Sequence, residues 1–215
     1  FIATAEETGQ VRYLTEFAIR QALEDWGHLA RDGFPIRIGV NISSRLLTDS
    51  GFTNHALRLL DGMDDRMTFE ITETAVIEDW KIALDNLKQV SAAGVRLAID
   101  DYGSGLSSLA YVQQLPIQEL KIDRSFITQL TSTHRDPLLV RSTIELGHAL
   151  DLEVVGEGVE DAETLALLTV MGCDLAQGYY IAKPMPLPEL IDYLRAGKAQ
   201  ELVARPFAHS FIASR

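Results

Sequence analysis

Residues 95–105 read VRLAIDDYGSG: an apolar run leads into two adjacent carboxylates and then into a glycine-rich turn. Successive side chains of a regular strand point to opposite faces, so Asp100 and Asp101 can act together only if the strand has ended there. Gly103 and Gly105 favour a turn at that point. Adjacent carboxylates repel by roughly 1 kcal/mol in water at about 4 Å, and a divalent cation with oxygen ligands offsets such repulsion. An isolated Asp-Asp pair more often marks a solvated turn, so the interpretation depends on whether similar residues recur.

The composition is that of one soluble globular domain, with 215 residues, 47% of them hydrophobic and 23% charged. The chain has no apolar stretch of membrane-spanning length and no signal-peptide pattern. Because it begins at Phe1, inside a segment with the character of a packed element, we expect it to be part of a longer polypeptide. The formal net charge of −12 argues against a long nucleic-acid partner, which requires a basic surface.

Cysteine and histidine usage limits the metal chemistry. The single cysteine, Cys173, rules out an intrachain disulfide and a cysteine-rich metal site. We expect Cys173 to be a small buried residue in a protein of the reducing cytosol. The five histidines show no ligand spacing, so any metal would be held by oxygen.

Short apolar runs alternate with helical segments, which predicts βα units and a parallel sheet within one domain. The predicted strands cover residues 36–41, 67–71, 95–99, 119–122, 153–155 and 174–177. Residues 1–9 and 11–30 are predicted to be helical, and further helix-start signals lie at Asp79, Asp136 and Pro188. Six βα units fit either a doubly wound sheet or most of a (β/α)8 barrel. A complete barrel typically takes about 250 residues, so a barrel of this length would lack one or two units.

Polar residues recur at the ends of the predicted strands. They are Asn41, Glu70, Asp100, Asp101, Lys121, Glu157 and Gln177. The carboxyl ends of barrel strands meet at one face, so these side chains are candidates for a common site. Carboxylate and amide oxygens are ligands for Mg²⁺ or Mn²⁺, and a lysine among acids can orient a nucleophile or stabilise developing charge. This set of residues fits two-metal hydrolysis of a phosphate ester.

Other motifs receive a structural interpretation. Residues 43–44 (Ser-Ser) are expected to start or cap a helix, and no Ser-His-Asp arrangement accompanies them that would make either serine a nucleophile. The acidic pairs at residues 6–7 and 64–65 are expected to be solvated surface charges. Residues 103–105 (GSG) lack the Lys-Ser/Thr ending of a P-loop, so we interpret them as a mobile functional turn.

Taken together, the motifs resemble the EAL domain, the cyclic-di-GMP phosphodiesterase family with a modified TIM barrel. The matching stretches are, in order, FI at 1–2, AEETG at 5–9, VNIS at 40–43, EITE at 70–73, DDYGSG at 100–105, LKID at 120–123, EGVE at 157–160, QGY at 177–179 and KP at 183–184. Each motif alone is weak, whereas the series in register is very specific and extends to about residue 195. The resemblance implies an α/β fold, a modified TIM (β/α)8 barrel without its first strand or strands. It implies one N-terminally incomplete domain over residues 1–215, with a C-terminal extension from about residue 197.

The resemblance also implies a binuclear metal site. Asn41, Glu70 and Asp100 would bind a first Mg²⁺ or Mn²⁺ ion, and Asp100 would bridge to a second ion that Asp101 also holds. Lys121 would contact the attacking water.

Further residues acquire implied roles from the same family. Glu157 would act as general base or hold the attacking water through the metal shell, and Gln177 would support that network. Glu73 would not touch the substrate but would pin the loop of residues 102–108, which links metal binding to dimer contacts.

The implied reaction is attack of metal-activated water on one phosphodiester of cyclic di-GMP, which gives linear pGpG. Asp123 and Pro184 are implied to contribute to substrate binding. The resemblance further implies a homodimer in the bacterial cytoplasm, fused to sensory or cyclase domains in the full protein, with no membrane segment in this chain.

The chain departs from the family pattern at three points. Tyr102 stands where the family usually has Phe, and Ser104 where it usually has Thr, and both changes are conservative. The Glu-Ala-Leu motif that names the family is absent and is expected upstream of Phe1. Because the glutamate of that motif is a metal ligand in the family, the chain alone would be an incomplete catalyst.

An active phosphodiesterase in the intact domain is the leading hypothesis. The alternatives are an inactive cyclic-di-GMP receptor or dimerising module, and a different metal phosphoesterase.

Overall fold

A computed structural model describes residues 1–60, 66–73, 80–103, 112–130 and 136–197. The chain divides into two compact units. The first unit comprises residues 1–121 together with 150–153, and the second comprises residues 122–149 and 154–215.

The first unit begins with two helices and then alternates strands with helices. Its described elements are α1 (Ile2–Glu7), α2 (Val11–Arg31), β1 (Ile38–Asn41), α3 (Ser44–Leu47), α4 (Ser50–Leu59), β2 (Met67–Thr72), α5 (Trp80–Ala92), β3 (Arg96–Tyr102) and β4 (Glu119–Ile122), whose last residue belongs to the second unit. The strands lie in the order β1-β2-β3-β4. β1 pairs with β2 in parallel, and so does β2 with β3. This order confirms the predicted βα alternation.

The second unit continues the same alternation. Its described elements are α6 (Arg124–Ile127), α7 (Asp136–Ala149), β5 (Glu153–Glu157), whose first residue belongs to the first unit, α8 (Ala162–Val170), β6 (Leu175–Gln177) and α9 (Leu187–Arg195). β5 and β6 are parallel neighbours. Throughout the described residues, no helix combines the length and the apolar character that crossing a bilayer requires.

The element boundaries agree with the predicted ones to within a few residues. β1 begins at Ile38, two positions later than predicted, and α7 begins at Asp136 itself rather than after it. The predicted cap Asp79 lies outside the described residues.

Cys173 is half-buried rather than fully buried, and its Sγ lies 3.2 Å from the Leu175 carbonyl oxygen. Burial raises the pKa of the Cys173 thiol to about 11, so the thiol is neutral at physiological pH.

The strands of the first unit bury an apolar face against helices. Ile71, Leu97 and Ile99 are fully buried. Phe69 and Ile71 line a cavity of only about 20 Å³ together with Leu87 of α5, which indicates close packing. Because strand side chains alternate between faces, the opposite face of these strands carries the remaining, mostly polar residues.

A charged cluster occupies the amino ends of the strands in the first unit. Arg96 Nη2 lies 2.8 Å from Glu153 Oε2, which Arg37 Nη2 also approaches to 3.0 Å. Arg96 Nη2 lies 3.9 Å from Glu119 Oε2. Burial of Glu119 raises its pKa above the ordinary value, while the charges of Arg37 and Arg96 oppose that rise. The negative charges of Glu153 and Glu70 add to it.

We expect Glu119→Gln to change how stability depends on pH. The pKa of Glu119 is higher in the folded chain than its ordinary value of 4.5, so its stabilising contribution is present below that pH. The contribution is lost as the pH rises through the folded-state pKa. The free energy of unfolding of wild type, relative to Glu119→Gln, should therefore fall as the pH rises above the ordinary pKa of the group, as measured by urea unfolding. The exposed Glu24→Gln on α2 serves as control, and an equal pH dependence in both variants would contradict the prediction.

A close backbone approach in the second unit requires glycine. A Cβ at Gly178 would lie 2.7 Å from the carbonyl carbon of Val159 and nearer still to its backbone nitrogen and oxygen. The segment is held there because Tyr180 N–H donates to the Val159 carbonyl oxygen at 3.0 Å. A backbone neighbour cannot yield as the end of a side chain can.

Gly178→Ala should therefore lower the free energy of unfolding by about 2 kcal/mol or more, the cost of overpacking. Gly27→Ala in α2 is the matched control, because a Cβ there meets nothing within 4 Å. This control should raise stability by about 0.5–1 kcal/mol through helix propensity. Chemical denaturation measures both effects, and equal stabilities of the two variants would refute the account.

Candidate metal centre and active site

The parallel register of the first unit places the predicted ligands side by side at the carboxyl ends of its strands. Asn41 is the β1 partner of Glu70 in β2, and Thr72 is the β2 partner of Asp100 in β3. Ile42 N–H, just after β1, donates to the Glu70 carbonyl oxygen at 2.8 Å. Asn41, Glu70 and Asp100 are therefore held on adjacent strands.

Lys121 is the most buried charged group among these residues. Its side chain is 4% exposed, and its Nζ lies 2.9 Å from Glu70 Oε2 and 3.1 Å from Asp100 Oδ1. The two carboxylates come from different strands and converge on one ammonium group. Ion pairs in low dielectric are far stronger than exposed ones, and each partner would be costly to bury alone. The structure thus brings together three of the predicted site residues.

Gly39 leaves room for the Glu70 carboxylate. A Cβ at Gly39 would meet Glu70 Oε1 directly and would lie 2.9 Å from its carboxyl carbon. Gly39 precedes Asn41 by two positions, so both residues belong to the same face of β1. A glycine at this point allows the carboxylate to lie across the strand.

The Asp100-Asp101 pair differs in one respect from the sequence-based expectation. β3 does not end before the pair but continues to Tyr102. The regular alternation is nevertheless broken, because Asp101 has a left-handed φ of +55°. Its N–H donates to Asp100 Oδ1 at 3.1 Å, and the two carboxylates present oxygens within 4.8 Å of each other. The left-handed residue, rather than the end of the strand, is what lets the two carboxylates share a side.

Glu73 follows β2 and is buried, with 8% exposure. Its Oε2 accepts a hydrogen bond from Gly103 N–H at 3.3 Å. This contact ties the segment after β2 to the residue that follows β3. Of the loop that Glu73 is predicted to pin, residues 104–108 lie outside the described residues.

The second unit carries the remaining predicted residues. Glu157 and Gln177 are register partners at the carboxyl ends of β5 and β6. Val159 N–H donates to the Gln177 carbonyl oxygen at 3.0 Å, which holds the turn after Glu157 beside β6. Gly158, with a φ of +78°, supplies the left-handed residue in that turn.

The two residues implied to bind substrate also belong to the second unit. Asp123 is the N-cap of α6, where its Oδ1 accepts from the Ser125 N–H at 2.9 Å and from the Ser125 hydroxyl. Pro184 lies between β6 and α9. Its neighbour Lys183 places Nζ 5.9 Å from the centroid of the Tyr179 ring.

Two residues of the first unit differ from their expected roles. Glu6 was expected to be a solvated surface charge, but it is half-buried and its Oε1 accepts from Ser43 Oγ at 2.7 Å. Ser43 does precede a helix, α3, as expected, yet its side chain makes no capping hydrogen bond. The two residues are 37 positions apart, and no local pattern in the sequence connects them. The acidic pair at 64–65 lies outside the described residues.

A large groove in the first unit opens beside Asn41, one of the predicted metal ligands. It has a volume of about 780 Å³, and its walls include α2, β1 and the start of α3. Asn41, Glu6 and Ser43 all line it. The groove therefore connects the strand end of β1 with the contact between α1 and the turn after β1.

The residues present fit a hard divalent cation. Glu70, Asp100 and Asp101 offer carboxylate oxygens and Asn41 an amide oxygen, the donor types that Mg²⁺ and Mn²⁺ prefer. Glu70 and Asp100 already converge on the positive charge of Lys121. Such an arrangement can hold a cation beside a phosphate ester and keep a hydrogen-bond donor next to it.

Comparisons with known proteins identify the family of the chain. The family model described as the EAL domain matches residues 1–184. NbdA of Pseudomonas aeruginosa, named a cyclic di-GMP phosphodiesterase, is 36% identical over 200 residues, which cover 91% of this chain and 26% of NbdA. PdeR of Escherichia coli, which carries the same activity in its name, is 34% identical over 192 residues, covering 86% of this chain and 29% of PdeR. The chain spans about a quarter to a third of the length of the curated relatives it matches.

Solved structures give the same answer for the fold. The PaMucR phosphodiesterase in its c-di-GMP complex aligns with a TM-score of 0.82 and 35% identity, covering 88% of this chain and 78% of that chain. The EAL domain of DcpA from Mycobacterium smegmatis aligns with a TM-score of 0.81 and 32% identity, covering 86% of this chain and 85% of that one. These likenesses confirm the α/β, modified TIM-barrel class that the motifs predicted. The chain belongs to the EAL domain family.

Proposed function

We propose that this chain is the catalytic region of a metal-dependent phosphodiesterase that hydrolyses cyclic di-GMP to linear pGpG. The observation that carries the proposal is the convergence of Glu70 and Asp100 on the buried Lys121 at 2.9 and 3.1 Å. This convergence supports the proposal, because it brings two carboxylates, which are suitable ligands for a divalent cation, together at the strand ends where the family's motifs lie. The relatives named as cyclic di-GMP phosphodiesterases support the choice of substrate.

Four residues of the first unit would hold the ions, two Mg²⁺ or Mn²⁺ per site. Asn41, Glu70 and Asp100 would bind the first, and Asp100 with Asp101 the second. Divalent cations, when bound, lower the pKa of a coordinated water and offset the charge that develops on the phosphodiester. The left-handed backbone at Asp101 is what allows both aspartates to serve the same site.

Lys121 and Glu157 would carry the proton and charge chemistry. The Lys121 ammonium would donate a hydrogen bond to the attacking water and orient it toward phosphorus. Glu157 would take the proton of that water as general base, a role that suits a carboxylate at a strand end. Gln177, the register partner of Glu157, would orient it through the same network. Attack at phosphorus then opens one phosphodiester of the ring.

Three residues would act around this centre. Glu73 would fix the segment after β3 through its hydrogen bond from Gly103. Asp123 and Pro184 would contact the nucleotide. Asp123 caps α6, and this hydrogen bond holds its carboxylate in a defined orientation. A defined orientation favours a role in binding the nucleotide.

The biological setting is part of the proposal. We assign the chain to the bacterial cytoplasm, where the unpaired Cys173 fits a reducing compartment. We further propose a homodimer, and a full protein that joins this region to sensory or cyclase domains. MucR of Pseudomonas aeruginosa, named a bifunctional diguanylate cyclase and cyclic di-GMP phosphodiesterase, supports the fusion because the match covers only 28% of its length.

Turnover of cyclic di-GMP by the full-length protein tests this function. We expect pGpG to form in the presence of Mg²⁺ or Mn²⁺ and turnover to be abolished by EDTA. Glu157→Gln should lower kcat by about 100-fold or more while leaving the fold intact, because a general base contributes that much. Product analysis by liquid chromatography measures both effects.

A second variant separates the metal centre from the base. Gly39→Ala should push the Glu70 carboxylate aside and lower turnover at limiting Mg²⁺, and it should also lower thermal stability, because the displaced carboxylate weakens its buried ion pair with Lys121. Gly27→Ala is again the control, and it should turn over cyclic di-GMP at the wild-type rate.

Binding of cyclic di-GMP without any hydrolysis would favour the receptor alternative over the enzyme. Equal turnover of unrelated phosphodiesters would favour a different phosphoesterase.

Lys121→Met provides a test that does not depend on activity. Without metal, the substitution leaves Glu70 and Asp100 facing each other with no positive charge, which should lower the free energy of unfolding by about 3 kcal/mol. Mg²⁺ should restore more stability to this variant than it adds to wild type, because the ion supplies the missing charge. Lys88→Met, at an exposed position of α5, is the control. Equal Mg²⁺ shifts in all three proteins, measured by thermal unfolding, would count against cation binding at these carboxylates.

A further inference from the structure

We propose that Glu6 is a positioning residue for the metal ligand Asn41 and that it acts through Ser43. The inference rests on the function proposed above, in which Asn41 binds a metal ion and its side chain must therefore be correctly oriented. Glu6 lies on α1, and Ser43 lies in the turn that leaves β1 directly after Asn41 and Ile42. The contact therefore joins two segments that the chain separates by 37 positions.

Glu6 holds the turn by both its side chain and its main chain. Its Oε1 accepts a hydrogen bond from Ser43 Oγ at 2.7 Å. Its backbone carbonyl oxygen accepts one from Arg45 Nη1 at 2.8 Å. A hydrogen bond to an ionised carboxylate is stronger and more directional than one between neutral groups. One residue of α1 thus contacts both the turn, at Ser43, and helix α3, at Arg45.

Other contacts hold the residues on either side of the Ser43 side chain, and the Ser43 carbonyl oxygen itself accepts from Leu46 N–H at 2.9 Å. Ile42 N–H is bound to the Glu70 carbonyl oxygen at 2.8 Å. At the far end of α3, the Leu47 carbonyl oxygen accepts from Asn86 Nδ2 at 2.8 Å. The Glu6 contact lies between these two attachments, and through Ser43 it constrains the backbone two positions after Asn41. Outer partners of metal ligands commonly control ligand orientation in this way.

Two observations argue for positioning over simple stabilisation. Ser43 occupies the N-cap position of α3, where serine usually stabilises a helix, yet its hydroxyl is directed to Glu6 instead. α1 has six residues, of which only Ala5 is buried. The Glu6–Ser43 hydrogen bond therefore attaches α1 to the turn at a place where little apolar surface is packed. Glu6, Ser43 and Asn41 also line the same groove of about 780 Å³. The Glu6–Ser43 hydrogen bond therefore lies beside the same groove as Asn41.

The test compares variants of the full-length protein by two readouts. Isothermal titration with Mn²⁺ in the absence of nucleotide gives the metal affinity, and cyclic-di-GMP turnover gives kcat and KM. Glu6→Ala and Ser43→Ala should each weaken Mn²⁺ binding about ten-fold, the lower end of the effect of losing an outer partner. The double variant should bind no more weakly than either single one, because both remove the same contact. Glu6→Gln should retain nearly wild-type affinity, since its amide oxygen can still accept from Ser43.

Glu7→Ala is the matched control, because Glu7 is the exposed neighbour of Glu6 on the same helix. It should leave Mn²⁺ affinity unchanged.

The proposal is overturned if Glu6→Ala lowers thermal stability without changing Mn²⁺ affinity, or if Glu6→Gln binds Mn²⁺ as weakly as Glu6→Ala. It is also overturned if the losses of affinity in Glu6→Ala and Ser43→Ala add in the double variant. A wild-type protein that binds Mn²⁺ without hydrolysing cyclic di-GMP refutes the proposed function, while the affinity series still decides the role of Glu6. Wild-type hydrolysis with unaltered Mn²⁺ affinity in the variants refutes the positioning role alone.

Discussion

The ammonium group of Lys121 is the constraint on which the first unit depends. A lysine side chain that is 4% exposed requires compensating charge, and Glu70 and Asp100 provide it at 2.9 and 3.1 Å. Those contacts form only if β2, β3 and β4 are adjacent and in register, since a slip of one residue would turn each side chain to the other face. Gly39 completes the arrangement, because any Cβ there would meet the Glu70 carboxylate. Strand order, register and the site are therefore determined by the same three charges.

The strands divide their two faces between stability and chemistry. On one face, Leu97 and Ile99 are buried against helices and supply the apolar packing. On the other, β3 carries Arg96 at its start and Asp100 near its end, with only Ala98 between them on that face. The ion pair between Arg96 and Glu153, at 2.8 Å, lies at the amino end of this polar face. Substitutions on the polar face can therefore change charge and ligand geometry while the apolar face continues to support the fold.

The alternation of apolar runs and helices made the strands predictable, because each run carries its own periodicity and its own polar end. The placement of the candidate ligands Asn41, Glu70 and Asp100 on adjacent strand ends was predictable for the same reason, since parallel strands bring their carboxyl ends together. Sequence reasoning placed the end of β3 too early, because it could not reveal that Asp101 adopts a φ of +55° inside the strand. It also assigned Glu6 to the solvent. That contact depends on a partner 37 positions away, and neither residue carries a local signature of it.

If the chain has the function proposed above, the charges of the first unit couple ion binding to nucleotide binding. Lys121 already faces two carboxylates, and Asp101 adds a third beside Asp100. The cluster is therefore net negative, as is the whole chain at −12, and it repels a phosphodiester anion. Divalent cations reverse that local sign, so the free energy of nucleotide binding must include the free energy of loading the ions. By linkage, the nucleotide then raises the affinity for the ions by the same factor. The buried lysine thus preserves the geometry of the carboxylates without metal, while the attraction for substrate depends on the ions.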